Sequence, residues 1–131
     1  MEVPILKQGP YLIASIHTAL DDDEMVRFQR DVVRRIGEER SRGIVIDVAA
    51  LDVLDSFGTR CLRNLAHMAS LRGAETVIVG IQPDVAFAMV RLGTDLQLHT
   101  ALDLEEGLEL LEEITSGGRV GRSSMGVLRD E

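Results

Sequence analysis

Tryptophan is absent from this chain, and tyrosine, cysteine and proline are scarce, with one Tyr, one Cys and three Pro in 131 residues. Aromatics make up only 3%, so the core has to be built from Leu, Ile, Val, Ala and Met. The lone Cys61 excludes an internal disulfide and has no zinc-type ligand spacing around it. A reducing, cytoplasmic setting is therefore expected. Basic residues are outnumbered 14 to 22, for a net charge of −8. A nucleic-acid surface needs clustered Lys and Arg to release counterions, so no nucleic acid is expected as partner, and no anionic membrane. No segment approaches the roughly 20 apolar residues that span a bilayer. The start, Met1-Glu2-Val3-Pro4, has no basic stretch leading into an apolar run. The acidic excess fits solubility and a basic protein partner.

Hydrophobic residues at 45% and charged residues at 27% are the balance of one globular domain. Val3 to Lys7 and Tyr11 to His17, separated by the turn dipeptide Gly9-Pro10, read as a strand pair. Asp21-Asp22-Asp23-Glu24 precedes Met25, Phe28, Val32 and Ile36, an amphipathic helix with an acidic first turn, for which Gly43 is the expected stop. Ile44 to Val48 is a β-branched run of the kind buried on both faces of a parallel sheet. A second helix from Ser56 to about Leu71 carries Phe57, Cys61, Leu65 and Met68 on one stripe and closes at Gly73. Thr76 to Ile81 reads as another strand, and Pro83 opens a helix with Val85, Met89, Val90 and Leu92 that ends at Gly93. After a short strand over Gln97 to Thr100, Asp103 and Glu106 form a capping-box pattern ahead of Leu104, Leu108, Leu111 and Ile114. The order β-β-α-β-α-β-α-(β)-α predicts an α/β fold, a mixed central sheet covered by about four helices. Residues 1–115 form the expected domain, and the Gly-, Ser- and Arg-rich stretch 116–131 a flexible tail.

The helix starts differ in a way that bears on function. The first and last are acidic, but the second begins Ser56-Phe57-Gly58-Thr59 and continues with Arg60 and Arg63, adding no anion of its own after Asp55. Gly58 costs about 1 kcal/mol relative to alanine within a first turn, which points to close approach of something to the backbone. Free N–H groups at a helix start also attract anions. Ser56 is then a helix cap, a nucleophile or a phosphate acceptor. The nucleophile reading lacks a G-x-S-x-G frame and any evident triad from the scattered His17, His67 and His99. Asp21 to Glu24 lacks the spacing of a calcium loop, and no P-loop or G-x-G-x-x-G occurs, so no cofactor or metal is demanded.

Ile44-Val45-Ile46-Asp47, Leu54-Asp55-Ser56-Phe57-Gly58, Leu71-Arg72-Gly73-Ala74, Val79-Gly80-Ile81-Gln82-Pro83 and Leu92-Gly93 together resemble the STAS domain family of anti-sigma-factor antagonists, over about residues 3 to 115. Pro4-Ile5-Leu6-Lys7, Asp55-Ser56-Phe57, Gly80-Ile81-Gln82-Pro83 and Thr100-Ala101-Leu102-Asp103-Leu104-Glu105 are similar to its small stressosome scaffold branch. The resemblance implies that Ser56 is phosphorylated by a GHKL-type serine kinase and reset by a PP2C-type phosphatase. It further implies a homo- or hetero-oligomer with sensor-bearing STAS paralogues, in which the protein is substrate and scaffold rather than enzyme. Asp55, Phe57, Gly58, Thr59 and Arg60 are the expected partner-reading surface around that serine. Ala74 stands where the sensor-bearing paralogues have a threonine, and Phe57 where sporulation-type antagonists have a small residue. A simple antagonist binding an anti-sigma kinase one to one, and a small-molecule or nucleotide-binding module on the same fold, are the alternatives.

Overall fold

Gly9-Pro10 sets the first pairing. The computed structural model describes residues 3–86 and 98–120, with side chains through residue 116. In it β1 (Ile5–Gln8) and β2 (Tyr11–Ser15) form an antiparallel hairpin with Gln8 opposite Tyr11. Gly9 has φ of +60°, and the two-residue turn takes a glycine at its first position for this reason. β3 (Gly43–Asp47), β4 (Glu75–Val79) and β5 (His99–Ala101) then add in parallel, giving the order β1-β2-β3-β4-β5.

The period-two alternation of the strands divides the interior in two. Leu12, Ala14, Ile44, Ile46 and Ile78 face α1 (Asp22–Glu39) and α2 (Ser56–Leu71), whose Met25, Phe28, Val32, Leu62 and Leu65 complete the larger core. Tyr11, Val45, Val77 and Val79 point the other way and are covered by Leu111 of the last helix. A helix α3 begins at Pro83 and is described over residues 83–86, with Val85 buried. Its expected continuation through Met89, Val90 and Leu92 to Gly93, and Gln97 of the expected last strand, lie outside the described residues. The last helix, α4 (Leu104–Val120), returns across the second face. The predicted mixed α/β sheet is thus observed.

Several boundaries differ from expectation. Gly43 does not stop α1; the helix ends at Glu39, Arg40 takes the left-handed conformation at φ 51°, and Gly43 is the first residue of β3. A Cβ there would lie 2.7 Å from Leu111 Cδ2, so its smallness serves the seating of α4. The full capping box occurs at α1, where Asp21 Oδ1 accepts from Glu24 N at 2.8 Å and Glu24 Oε1 accepts from Asp21 N at 3.0 Å. At α4, Asp103 Oδ1 accepts from Glu106 N at 2.9 Å, but Glu106 accepts from Leu102 N rather than Asp103 N. α4 also runs on past residue 115 to Val120, where a tail had been expected from 116; residues 121–131 lie outside the described residues.

Tyr11 joins β2 to α4: its hydroxyl donates to Glu112 Oε2 at 2.9 Å and lies 2.9 Å from Thr115 Oγ1. Burial raises its pKa above the ordinary 10.0, the Thr115 bond opposes this, and Glu112 adds to the rise. The neutral phenol is favoured by the fold, so this contribution to stability is full below pH 10.0 and declines as pH rises through the folded value. As the chain has one Tyr and no Trp, ultraviolet titration of the native protein should give a phenol midpoint above that of the unfolded chain. Glu112→Gln should move it back down; a native midpoint equal to the unfolded one would contradict this contact.

Candidate functional site

The loop between β3 and α2 is held where it leaves β3. Val48 N donates to Val79 O at 3.0 Å, Leu51 N to Val48 O at 3.0 Å, and Asp47 Oδ1 accepts from Ala49 N at 2.9 Å. Gln82 Nε2 reaches across from the loop after β4 to Ala49 O at 2.7 Å. Gly80 between them has φ +79°, and a Cβ there would lie 2.7 Å from Ala49 Cβ and 3.0 Å from its Cα. Only glycine fits this crossing. Leu51 and Leu54 are buried while Val53 is 69% exposed, so the loop reaches α2 with its apolar anchors inward.

Asp55 ends the loop at φ −77°, ψ 178° and is the N-cap of α2; its Oδ1 accepts from Gly58 N at 2.7 Å. The cap is therefore Asp55 and not Ser56, which is the first helical residue. Ser56 is exposed and its hydroxyl makes no hydrogen bond among the described residues. The close approach at Gly58 is also internal: a Cβ would sit 2.8 Å from Leu54 Cδ1 and 3.2 Å from Asp55 Oδ1. This corrects the sequence reading, in which Gly58 left room for an incoming anion.

Of the five residues expected around the serine, Asp55 and Arg60 are exposed and Phe57 is half-buried against the larger core. Gly58 and Thr59 are buried, Thr59 at 0% exposure with its hydroxyl donating to Asp55 O at 2.9 Å. Neither can offer a side chain to a partner on this surface; Thr59 locks the first turn instead. The surface left around the serine is thus formed by Asp55, Ser56, Arg60 and the open side of Phe57, joined by Val53. A hollow of about 100 Å³ beside them is lined by Leu20, Met25, Leu51, Val53 and Phe57 among others.

Catalytic partners for the hydroxyl are missing among the described residues: no histidine is hydrogen-bonded to Ser56, and His99 pairs with Glu75 at 3.6 Å at the opposite end of the strands. Cys61 is buried one turn further along α2, where burial first, then the Asp22 and Asp55 charges, push its thiol up, against Arg60. Such a thiol is a poor nucleophile at neutral pH. No group of three His, Cys, Asp or Glu able to hold a metal occurs among the described residues. The Asp55 cap and the box at Asp21 and Glu24 escaped the sequence reading, although D-x-x-E at 21–24 and an aspartate three residues before Gly58 were their signals.

A five-stranded mixed sheet with helices on both faces and an exposed serine opening the second helix make this a small α/β domain. The chain belongs to the STAS domain family, whose model matches residues 3–107. It is 36% identical to a serine-to-glutamate variant of RsbS from Moorella thermoacetica, with a TM-score of 0.80, covering 89% of this chain and 100% of that one. A chain from the molecular architecture of the stressosome, described as a signal integration and transduction hub, is 34% identical at a TM-score of 0.71, covering 85% and 97%. The RsbT co-antagonist protein RsbRA of Bacillus subtilis (strain 168) is 27% identical over 97 residues, 73% of this chain, which spans only 35% of that protein. No helix of the described residues is long and apolar enough to cross a membrane.

Asp55→Ala should cost about 1 kcal/mol of stability by freeing the Gly58 N–H, while Asp55→Asn should retain most of it. Denaturant unfolding checks this; equal losses for both variants would point to charge rather than capping. By the same measurement Gly80→Ala should cost more than about 1 kcal/mol, because both its φ and the contact with Ala49 oppose a side chain.

Proposed function

We propose that this protein is a non-enzymatic, phosphorylation-switched scaffold of a stressosome-type assembly. Unmodified, it assembles with sensor-bearing STAS paralogues and holds a GHKL-type serine kinase; phosphorylation of Ser56 by that kinase releases it, and a PP2C-type phosphatase resets the serine. The observation that carries the reading is the Ser56 hydroxyl itself, exposed and unbonded at the first position of a helix whose cap is supplied by the residue before it. Because Asp55 does the capping, Ser56 is dispensable to the fold and open to modification. The likeness to RsbS over nearly the whole chain supports the same assignment.

Electrostatics favours a signal read by a partner over a local refolding. A phosphate adds roughly −1.5 to −2 charges. It meets repulsion from Asp55 but also the positive end of the α2 dipole and Arg60 nearby in the next turn. These oppose one another, so the helix start survives and what changes is the charge presented beside Val53 and Phe57. A surface that holds a kinase through apolar contact loses affinity when such a charge enters its edge.

Incubation with the partner kinase and ATP should add one phosphate, located on Ser56 by mass spectrometry and absent from Ser56→Ala. Thr59, buried and hydrogen-bonded, should stay unmodified. Ser56→Asp should fold normally yet capture the kinase less well in pull-down. Phosphate at another residue, or undiminished capture by Ser56→Asp, would overturn the assignment.

A further inference from the structure

One face of the central sheet carries an arginine-rimmed groove and the other an acidic helix. On the side of α1 and α2 an open groove of about 720 Å³ runs between the helices, with Val26, Val33 and Met68 along it and Arg30, Arg34 and Arg72 around them. Arg34 is held by Asp31 at 3.5 Å and Glu38 at 3.8 Å, whereas Arg30 and Arg72 have no acidic partner among the described residues. Arg72 lies across Gly37, where a Cβ would be 2.7 Å from its Nη1, and the neighbouring Leu71 is 75% exposed. On the opposite side α4 presents Glu105, Glu106, Glu109, Glu112 and Glu113, all exposed, with no basic residue between Leu104 and Ser116. Beside them a hollow of about 690 Å³ has Pro10, Tyr11 and Leu108 in its wall.

We propose that these two faces are the halves of one contact between copies of this chain. The acidic face of α4 on one copy seats against the arginine groove of the next, and the exposed Leu71 of the second copy enters the hollow at Pro10, Tyr11 and Leu108 of the first. Charge complementarity selects this occupant. With a net charge of −8, two copies repel unless the acid-rich face of one meets the basic groove of the other. The groove is also open along its length, as a helix requires, and the apolar residues on both faces supply an anchor and its pocket. Since the two faces lie on opposite sides of one sheet, the contact is head-to-tail and leaves a free face at each end. It therefore grows into a ring or filament instead of stopping at a two-fold dimer.

This contact deepens the scaffold reading and rests on it for its use in the cell. Its test reads self-association alone and leaves Ser56 unaltered, so the two can fail separately. Sedimentation velocity of the full chain should show a mass that rises with concentration and falls as salt is added. Arg30→Glu with Arg72→Glu, and separately Glu109→Arg with Glu113→Arg, should each weaken association about tenfold or more, since like charges then meet at every contact. An equal mixture of the two variants should recover it, because each groove again faces a helix of opposite sign. Arg→Gln and Glu→Gln versions at the same positions, which keep side-chain shape, should weaken association in the same direction if a reversed variant fails to fold. A wild-type chain that stays monomeric, a closed dimer indifferent to both pairs of changes, or a mixture no more associated than its components would overturn the proposal.

Discussion

The crossing of two loops at Ala49 and Gly80 is the constraint on which the exposed serine depends. Parallel neighbours β3 and β4 end at the same level, Asp47 opposite Val79, so their following loops compete for the same space. Gly80 yields by having no side chain, and the Gln82 amide then ties the two loops together at Ala49 O. From that point Leu51 and Leu54 carry the chain down to the core and bring it up at Asp55 with extended backbone, as an N-cap requires. The position of Ser56 follows from packing under it, not from any bond of its own. A residue fixed by its surroundings but not used by them can change charge without changing the fold.

The sheet and its covering helices were legible because their signals are redundant. β-branched runs, Gly-Pro and the i, i+4 spacing of Phe28, Val32 and Ile36 all point the same way. What misled the reading was context supplied by distant residues. Gly43 looks like a helix stop because glycine usually is one after a helix, yet its smallness answers Leu111, 68 positions later in the chain. Gly58 looked like space for a ligand and is filled by Leu54 and the Asp55 carboxylate. Thr59, part of the same short motif as Ser56 and only about 60° from it around the helix, turned out to be fully buried, its hydroxyl turned back to Asp55 O.

The capping difference between helices also sharpens what a phosphate on Ser56 would meet. At α1 and α4 the first-turn acids are built in, through Asp21 with Glu24 and Asp103 with Glu106. At α2 one carboxylate serves the Gly58 N–H and the first turn itself holds no acid. The helix start is thus stable as it stands and still able to tolerate further negative charge. A more heavily acidic first turn would resist phosphorylation by repulsion; an uncapped one would be remodelled by it.

The molecule also has two distinct ends. The loops that place Ser56 lie at the carboxyl ends of the strands, while Arg72 and the end of α1 lie at the other end, beside the residues that lead into β3 and β4. A charge added at Ser56 is therefore on the far end of α2 from Arg72, sixteen residues and about 24 Å along the helix axis. That distance exceeds the screening length of about 8 Å at physiological salt. A modification at Ser56 need not dissolve a contact centred on Arg72, so in the scaffold proposed above the assembly can keep its architecture while a partner at the Ser56 end is released.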